Sequence, residues 1–131
     1  MYRGLLVATL LCLAGPAAMA QDPVRVAPTH YKVDFENAQV RVLRIHYGPH
    51  EKSAMHSHPD NVVIFLTDAH VKFTTPDGKS VERSGKAGDA AWNPAVTHVS
   101  ENLSDQPFDG ILVELKSKPT AAKPAAKPAM K

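Results

Sequence analysis

Three histidines carry most of the chemistry this chain offers: His56, His58 and His98. His56 and His58 are separated by one residue. On a β-strand, residues i and i+2 point to the same face, so a His-x-His pair can present two imidazoles to one ion. His98 lies much later, after two predicted hairpins, and an antiparallel closed sheet brings such a residue alongside. Three neutral imidazoles suit a divalent transition metal (iron, zinc, nickel, manganese or copper) and leave coordination positions open for water or a small molecule. A His-x-His pair alone is commonly just a solvated stretch of strand. The pair therefore gains meaning only through the segment that supplies His98.

Other reactive side chains read more plainly. His30, His46, His50 and His70 fit no ligand spacing and read as surface or loop residues. Asp60 and Asn61 follow His58 closely, but with Pro59 they form a turn signal rather than a substitute ligand set. Glu51 reads as a solvated loop acid. Arg41 and Arg44 read as exposed strand charges, one of which could reach an anionic substrate. Phe65, Phe73, Trp92 and Met55 read as core rather than cavity lining. No Ser-His-Asp order, phosphate loop or pair of catalytic carboxylates stands out.

The elements that must position the histidines are strands. Tyr31, Val33 and Phe35 alternate with Lys32, Asp34 and Glu36, the period-2 signature of a strand. Val40 and Val42 continue on one parity and Leu43, Ile45 and Tyr47 on the other, which predicts a bulge there. The apolar run from Val62 to Leu66 predicts a strand buried on both faces. Val71 and Phe73 follow, and Pro76-Asp77-Gly78-Lys79 is a strong hairpin signal. Gly85 and Gly88-Asp89 mark another reversal, and Phe108 to Leu115 reads as the last strand. No amphipathic helix of ten or more residues is predicted. About eight short antiparallel strands in so short a segment predict an all-β sandwich or barrel.

Residues 48–69 read GPHEKSAMHSHPDNVVIFLTDA and residues 88–102 read GDAAWNPAVTHVSEN. These resemble the two motifs of the cupin family. On that resemblance the family's ligand histidines fall on His56, His58 and His98, and Gly88, Pro94 and Asn102 fall on the second motif. The resemblance spans roughly residues 40–115. It implies a small jelly-roll β-barrel with a metal inside, often in a homodimer. The chain also departs from the pattern. Gly48 stands too early, Ala69 and Val96 replace glycines, and the usual glutamate ligand falls on Val62. A three-histidine site without that carboxylate keeps the full charge of a divalent ion, which favours an anion or hydroxide as a further ligand.

Both ends read as something other than barrel. Residues 1–20 resemble an export signal: Arg3, an uncharged apolar run over Leu5 to Leu13, then Ala18-Met19-Ala20 as a cleavage site. The run is shorter than the ~20 apolar residues a membrane span needs. Cys12 is the one cysteine of the chain and would leave with the signal, which excludes disulfides and thiolate ligands in the remainder. Residues 116–131 read KSKPTAAKPAAKPAMK, a flexible tail too poor in large apolar residues to fold. The net charge of +2 is a property of that tail. Residues 21–115 hold nine Lys and Arg against thirteen Asp and Glu, a net −4.

The 131 residues therefore divide into a signal peptide (1–20), a cupin-like barrel (21–115) and a basic tail (116–131). The expected location is periplasmic or secreted. The expected partners are a small molecule and a second copy of the chain, with no nucleic acid and no membrane insertion after signal removal. Two functions fit. One is a metal-dependent oxygenase, isomerase or hydrolase acting on a small molecule. The other is a non-catalytic periplasmic metal- or ligand-binding protein.

Overall fold

Alternating β-branched and polar residues, cut at short intervals by Gly, Pro and Asp, form strands wherever one parity can be buried. The structure, a computed structural model, describes residues 21–117. The predicted signal peptide and residues 118–131 of the predicted tail lie outside them. Pro23–Val26 is a single helical turn, α1, capped by the Asp22 carboxylate, which accepts from the Val24 N–H at 2.9 Å.

Nine strands follow: β1 Tyr31–Glu36, β2 Val40–Tyr47, β3 His56–His58, β4 Asn61–Phe65, β5 Ala69–Thr74, β6 Ser80–Gly85, β7 Ala90–Asn93, β8 Val96–Asn102 and β9 Phe108–Leu115. They form two antiparallel sheets ordered β1-β2-β9-β4-β7 and β3-β8-β5-β6. This is the jelly-roll arrangement expected from the sequence, with one strand more than its pattern suggests. The Pro76-Asp77-Gly78-Lys79 turn closes β5 onto β6, and Gly78 adopts the positive φ of 84° that favours glycine there.

Between the sheets Leu43, Ile45, Tyr47, Leu112 and Phe108 pack against Tyr31, Phe65, Ala69 and Val71. Asn102 pins the loops at one end, its amide donating to the Gly48 and Gln106 carbonyls at 3.0 and 2.8 Å.

Two local expectations need correction. The parity change in β2 is not a bulge: β2 pairs with β9 without interruption over all eight residues. The irregularity lies in β1, between Val33 and Phe35. Val40 and Val42 are apolar because they stand on the outer face of the sheet, which is itself apolar. Nor is the Val62–Leu66 run buried on both faces. Val62 and Ile64 are half-buried and Leu66 is exposed.

Candidate metal centre

The pairing of β3 with β8 sets His56 directly opposite His98. His58, two residues along β3, shares that face. All three are buried, and one nitrogen from each lies within 4.8 Å of the others. The ring centroids are 4.8 Å (His56–His58), 4.9 Å (His56–His98) and 5.5 Å (His58–His98) apart. The three predicted residues are thus brought together from two distant chain segments.

The far side of two rings is tied down. His56 Nδ1 donates to the Ala54 carbonyl at 2.8 Å. His58 Nδ1 donates to Glu114 Oε1 at 2.7 Å. These acceptors put the proton on Nδ1 and leave the Nε2 lone pair free, the arrangement that orients metal-binding histidines. His56 Nε2 and His98 Nε2 are buried and have no hydrogen-bond partner. A buried unpaired nitrogen is costly unless something occupies its lone pair. The donor set therefore fits a borderline divalent cation, such as zinc or iron, on chemical grounds.

Burial also keeps the His56 and His98 rings neutral. It pushes the His56 imidazole down from 6.5 to about 4. Burial, with His56 and His58 alongside, pushes His98 down to about 3. Protons thus compete poorly for these nitrogens at neutral pH.

Glu114 was missed in the sequence, where β9 was read only as a closing strand. Its carboxylate is buried and bridges His58 Nδ1 to Arg41 Nε, which donates at 2.7 Å. Arg41 also donates through Nη1 to Asp22 Oδ2 at 2.6 Å. Arg41 is therefore no loose strand charge but the clamp of a buried acid. The signal was present: Glu114 occupies the inward parity of Phe108, Gly110 and Leu112, where an acid needs a reason.

Other residues differ from expectation as well. His30 is buried; its Nδ1 donates to the His46 carbonyl at 2.9 Å and its ring stacks on Tyr47 at 4.1 Å. Trp92 is exposed rather than core, because it stands on the outer face of β7. His46, His50 and His70 lie at the surface beside Asp109, Asp105 and Glu82. Glu51 accepts from the Gly48 N–H at 2.6 Å. Asn61 is buried at the start of β4, donating to the Pro59 carbonyl and accepting from Asn93. Asp60 accepts from the Ala95 N–H.

A cavity of about 500 Å³ opens beside His58 and His98. Its walls are largely apolar, with Ile45, Val63, Phe65, Val71 and Leu112 among them. Phe73 also lines it and lies flat on the His98 ring at 4.7 Å. Phe65 and Phe73 are thus lining as well as packing. β4 turns Asn61, Val63 and Phe65 toward the cavity and Val62 away. Of the two valines it is therefore Val63, not Val62, that faces the cavity, and neither can coordinate. Tyr31 stands beside His56 and His58, with centroids 4.9 and 5.3 Å away. Its hydroxyl accepts from Tyr47 at 3.0 Å. Burial, then Tyr47, raises its pKa well above the usual phenol value.

No protein-family model and no curated protein matches the sequence. Solved structures do. A cupin domain from Bordetella pertussis Tohama I is 29% identical with a TM-score of 0.61, over 66% of this chain and 92% of that one. An uncharacterized double-stranded β-helix protein from Klebsiella pneumoniae is 24% identical with a TM-score of 0.53, over 65% of this chain and 74% of its own. A cupin family protein from Methanocaldococcus jannaschii is 14% identical with a TM-score of 0.52, over 65% and 77%. The motif residues, the sheet order and these likenesses agree: the fold is that of a small cupin.

Proposed function

We propose that this chain is an exported small cupin. It holds one divalent transition metal ion on His56, His58 and His98 and acts on a small molecule seated in the adjoining cavity. The observation that carries the reading is the pair of buried, unpartnered Nε2 atoms on His56 and His98, within reach of a nitrogen of His58. A bound ion would supply Lewis-acid or oxygen-activating chemistry, which corresponds to a hydrolase, isomerase or oxygenase.

The chain's own residues do the rest. Ala54 and Glu114 hold the rings of His56 and His58 in the metal-accepting tautomer. The apolar walls exclude water and select a ligand with an apolar body. Tyr31 accepts a hydrogen bond from Tyr47, and its raised pKa keeps the phenol protonated beside the histidines. The cavity volume falls within the range that encloses small ligands, ~300–1,000 Å³.

A second reading is a periplasmic binding protein that holds metal or ligand without turnover. One observation favours it: the carboxylate among the cavity-lining residues belongs to Glu101, which is engaged by Lys72 at 2.9 Å. No free general base faces the cavity among the described residues.

Elemental analysis of the purified protein beside His56→Ala tests the metal. The expected result is one transition metal per chain in the wild type and loss in the variant. Absence from both sinks the proposal. Product formation that requires the metal and disappears in His98→Ala then selects enzyme over binding protein; saturable binding without product selects the reverse.

A further inference from the structure

Strand alternation leaves one arginine facing the cavity. On β6, Val81 and Arg83 line it, while Ser80 and Glu82 do not. Cross-strand partners share a face, and the register agrees. Val81 stands opposite Phe73, and Arg83 opposite Val71, both of which line the cavity. Gly85 continues the same parity, and a Cβ there would meet the Phe65 ring at 2.7 Å. A charged side chain on the inward parity of a strand needs a reason.

Its place in the fold supplies one. β6 and β7 are the end strands of their two sheets. Both border the cavity, β7 through Ala91 and Asn93, so the cavity opens between these two edges. Val81 faces inward and is still 50% exposed, and Arg83 is exposed beside it. The histidines lie at the far end. In the row of Arg83 and Val71, β8 contributes Asn102, four residues from His98. About 13 Å of strand and two strand spacings therefore separate His98 from Arg83 along the sheet.

Arg83 is the one lysine or arginine among the residues lining this cavity, and no carboxylate among the described residues pairs with it. The acids around it are taken. Glu82 pairs with His70 at 2.8 Å and Glu101 with Lys72 at 2.9 Å. Near the histidines, Glu114 is held by Arg41 and His58. Arg41 and Arg44, the arginines that the sequence offers for an anion, do not line the cavity.

We propose that the cavity takes a small carboxylic acid, its carboxylate paired with Arg83 at the mouth and its apolar body running inward between Phe73 and Val63. This rests on the cavity being the small-molecule seat proposed above. Three features favour such a ligand. The planar fork of a guanidinium matches the two oxygens of a carboxylate. A single cation suits a monoanion better than a phosphate dianion. Selection must also be local, because residues 21–115 carry a net −4 and repel anions as a whole. A divalent ion on three neutral imidazoles would add positive charge from the far end. A cationic ligand would find no free carboxylate among the described lining residues.

The test is calorimetric titration of the purified protein with 4-phenylbutyrate and with 4-phenylbutyramide, an uncharged counterpart of the same shape. Zinc-loaded and chelator-treated samples are run in parallel, so that the ion is removed as an alternative source of any preference. The expected result is that the acid binds both forms at least about fivefold tighter than the amide, with the preference shrinking at high salt. Arg83→Gln should weaken the acid about five- to tenfold and leave the amide within twofold. Arg83→Lys should recover part of the loss, since it keeps the charge without the fork. Should Arg83→Gln fail to fold, the acid-to-amide ratio of the chelator-treated wild type and its salt dependence carry the test.

Equal affinity of wild type and folded Arg83→Gln for the acid overturns the proposal and leaves Arg83 a surface charge. So does an amide bound as tightly as the acid, and so does binding of neither. Zinc content of the same samples separates this from the metal reading. Arg83-dependent binding of the acid without zinc uptake supports the carboxylate seat and sinks the metal. Zinc uptake with Arg83-independent binding does the reverse.

Discussion

Replacing Glu114 with glutamine isolates what the buried acid does for the metal centre. Glu114→Gln keeps the size of the side chain and removes its charge. The glutamine carbonyl can still accept from His58 Nδ1 or from Arg41 Nε, which lie 2.7 Å from the two carboxylate oxygens. Its amide nitrogen, however, presents hydrogens to whichever donor remains. Two consequences follow, and they separate. The His58 ring loses an anionic acceptor, so its Nε2 becomes a weaker donor and its tautomer less fixed. Loss of such a partner typically lowers metal affinity ~10–100-fold, or about 1.4–2.7 kcal/mol. The fold also loses a charge-assisted bond at a buried site, with an expected cost of about 1–3 kcal/mol. Arg41 retains Asp22 at 2.6 Å, which keeps the cost at the lower end. The assay is competition for zinc against a calibrated chelator at neutral pH, with thermal melts of the metal-free proteins alongside. Ala54→Gly is a fitting control, because the His56 acceptor there is a backbone carbonyl and affinity should hold. Zinc affinity of a folded Glu114→Gln within twofold of wild type would refute the reasoning.

Further outcomes are expected. In the metal-free protein His56 and His98 titrate near 4 and 3, below the ordinary 6.5. The unfolded chain binds these protons first, so stability is full above about pH 6.5 and falls as the pH drops toward 4. The loss is on the order of 3 kcal/mol for His56 alone; chelator-treated melts across that range should show it, and a flat profile would contradict it. Val63→Glu places a carboxylate on the cavity side of β4 and should tighten zinc binding at least about tenfold while destabilising the metal-free form. Val62→Glu should do neither to the metal, and chelator competition distinguishes the two. Gly85→Ala would set its Cβ 2.7 Å from the Phe65 ring. That ring is held against Phe108, so a loss of about 1–3 kcal/mol in chemical denaturation is expected.

The legible and illegible parts of this chain divide along physical lines. His56 and His58 could be read because a strand repeats every two residues, a local property. His98 and the barrel could be read because the turn signals and the two motifs bound the intervening strands. Glu114 could not be paired with His58 in advance, since nothing local links β9 to β3, and it went unremarked inside the last strand. Arg41 was hidden with it. The bulge was misplaced in β2 and Trp92 taken for core for one shared reason. Parity arguments assume that one sheet face is polar, and here both are apolar. The same assumption made the Val62–Leu66 run look doubly buried. His30 was misread because its burial depends on stacking, just before β1, on Tyr47 at the end of β2, a contact that no spacing encodes.

X-ray absorption of the zinc-loaded protein tests the central claim most directly. The account predicts one zinc per chain with three imidazole nitrogens at ~2.0–2.1 Å, falling to two in His98→Ala. A wild-type spectrum with fewer than three imidazoles, or one unchanged in His98→Ala, would contradict it.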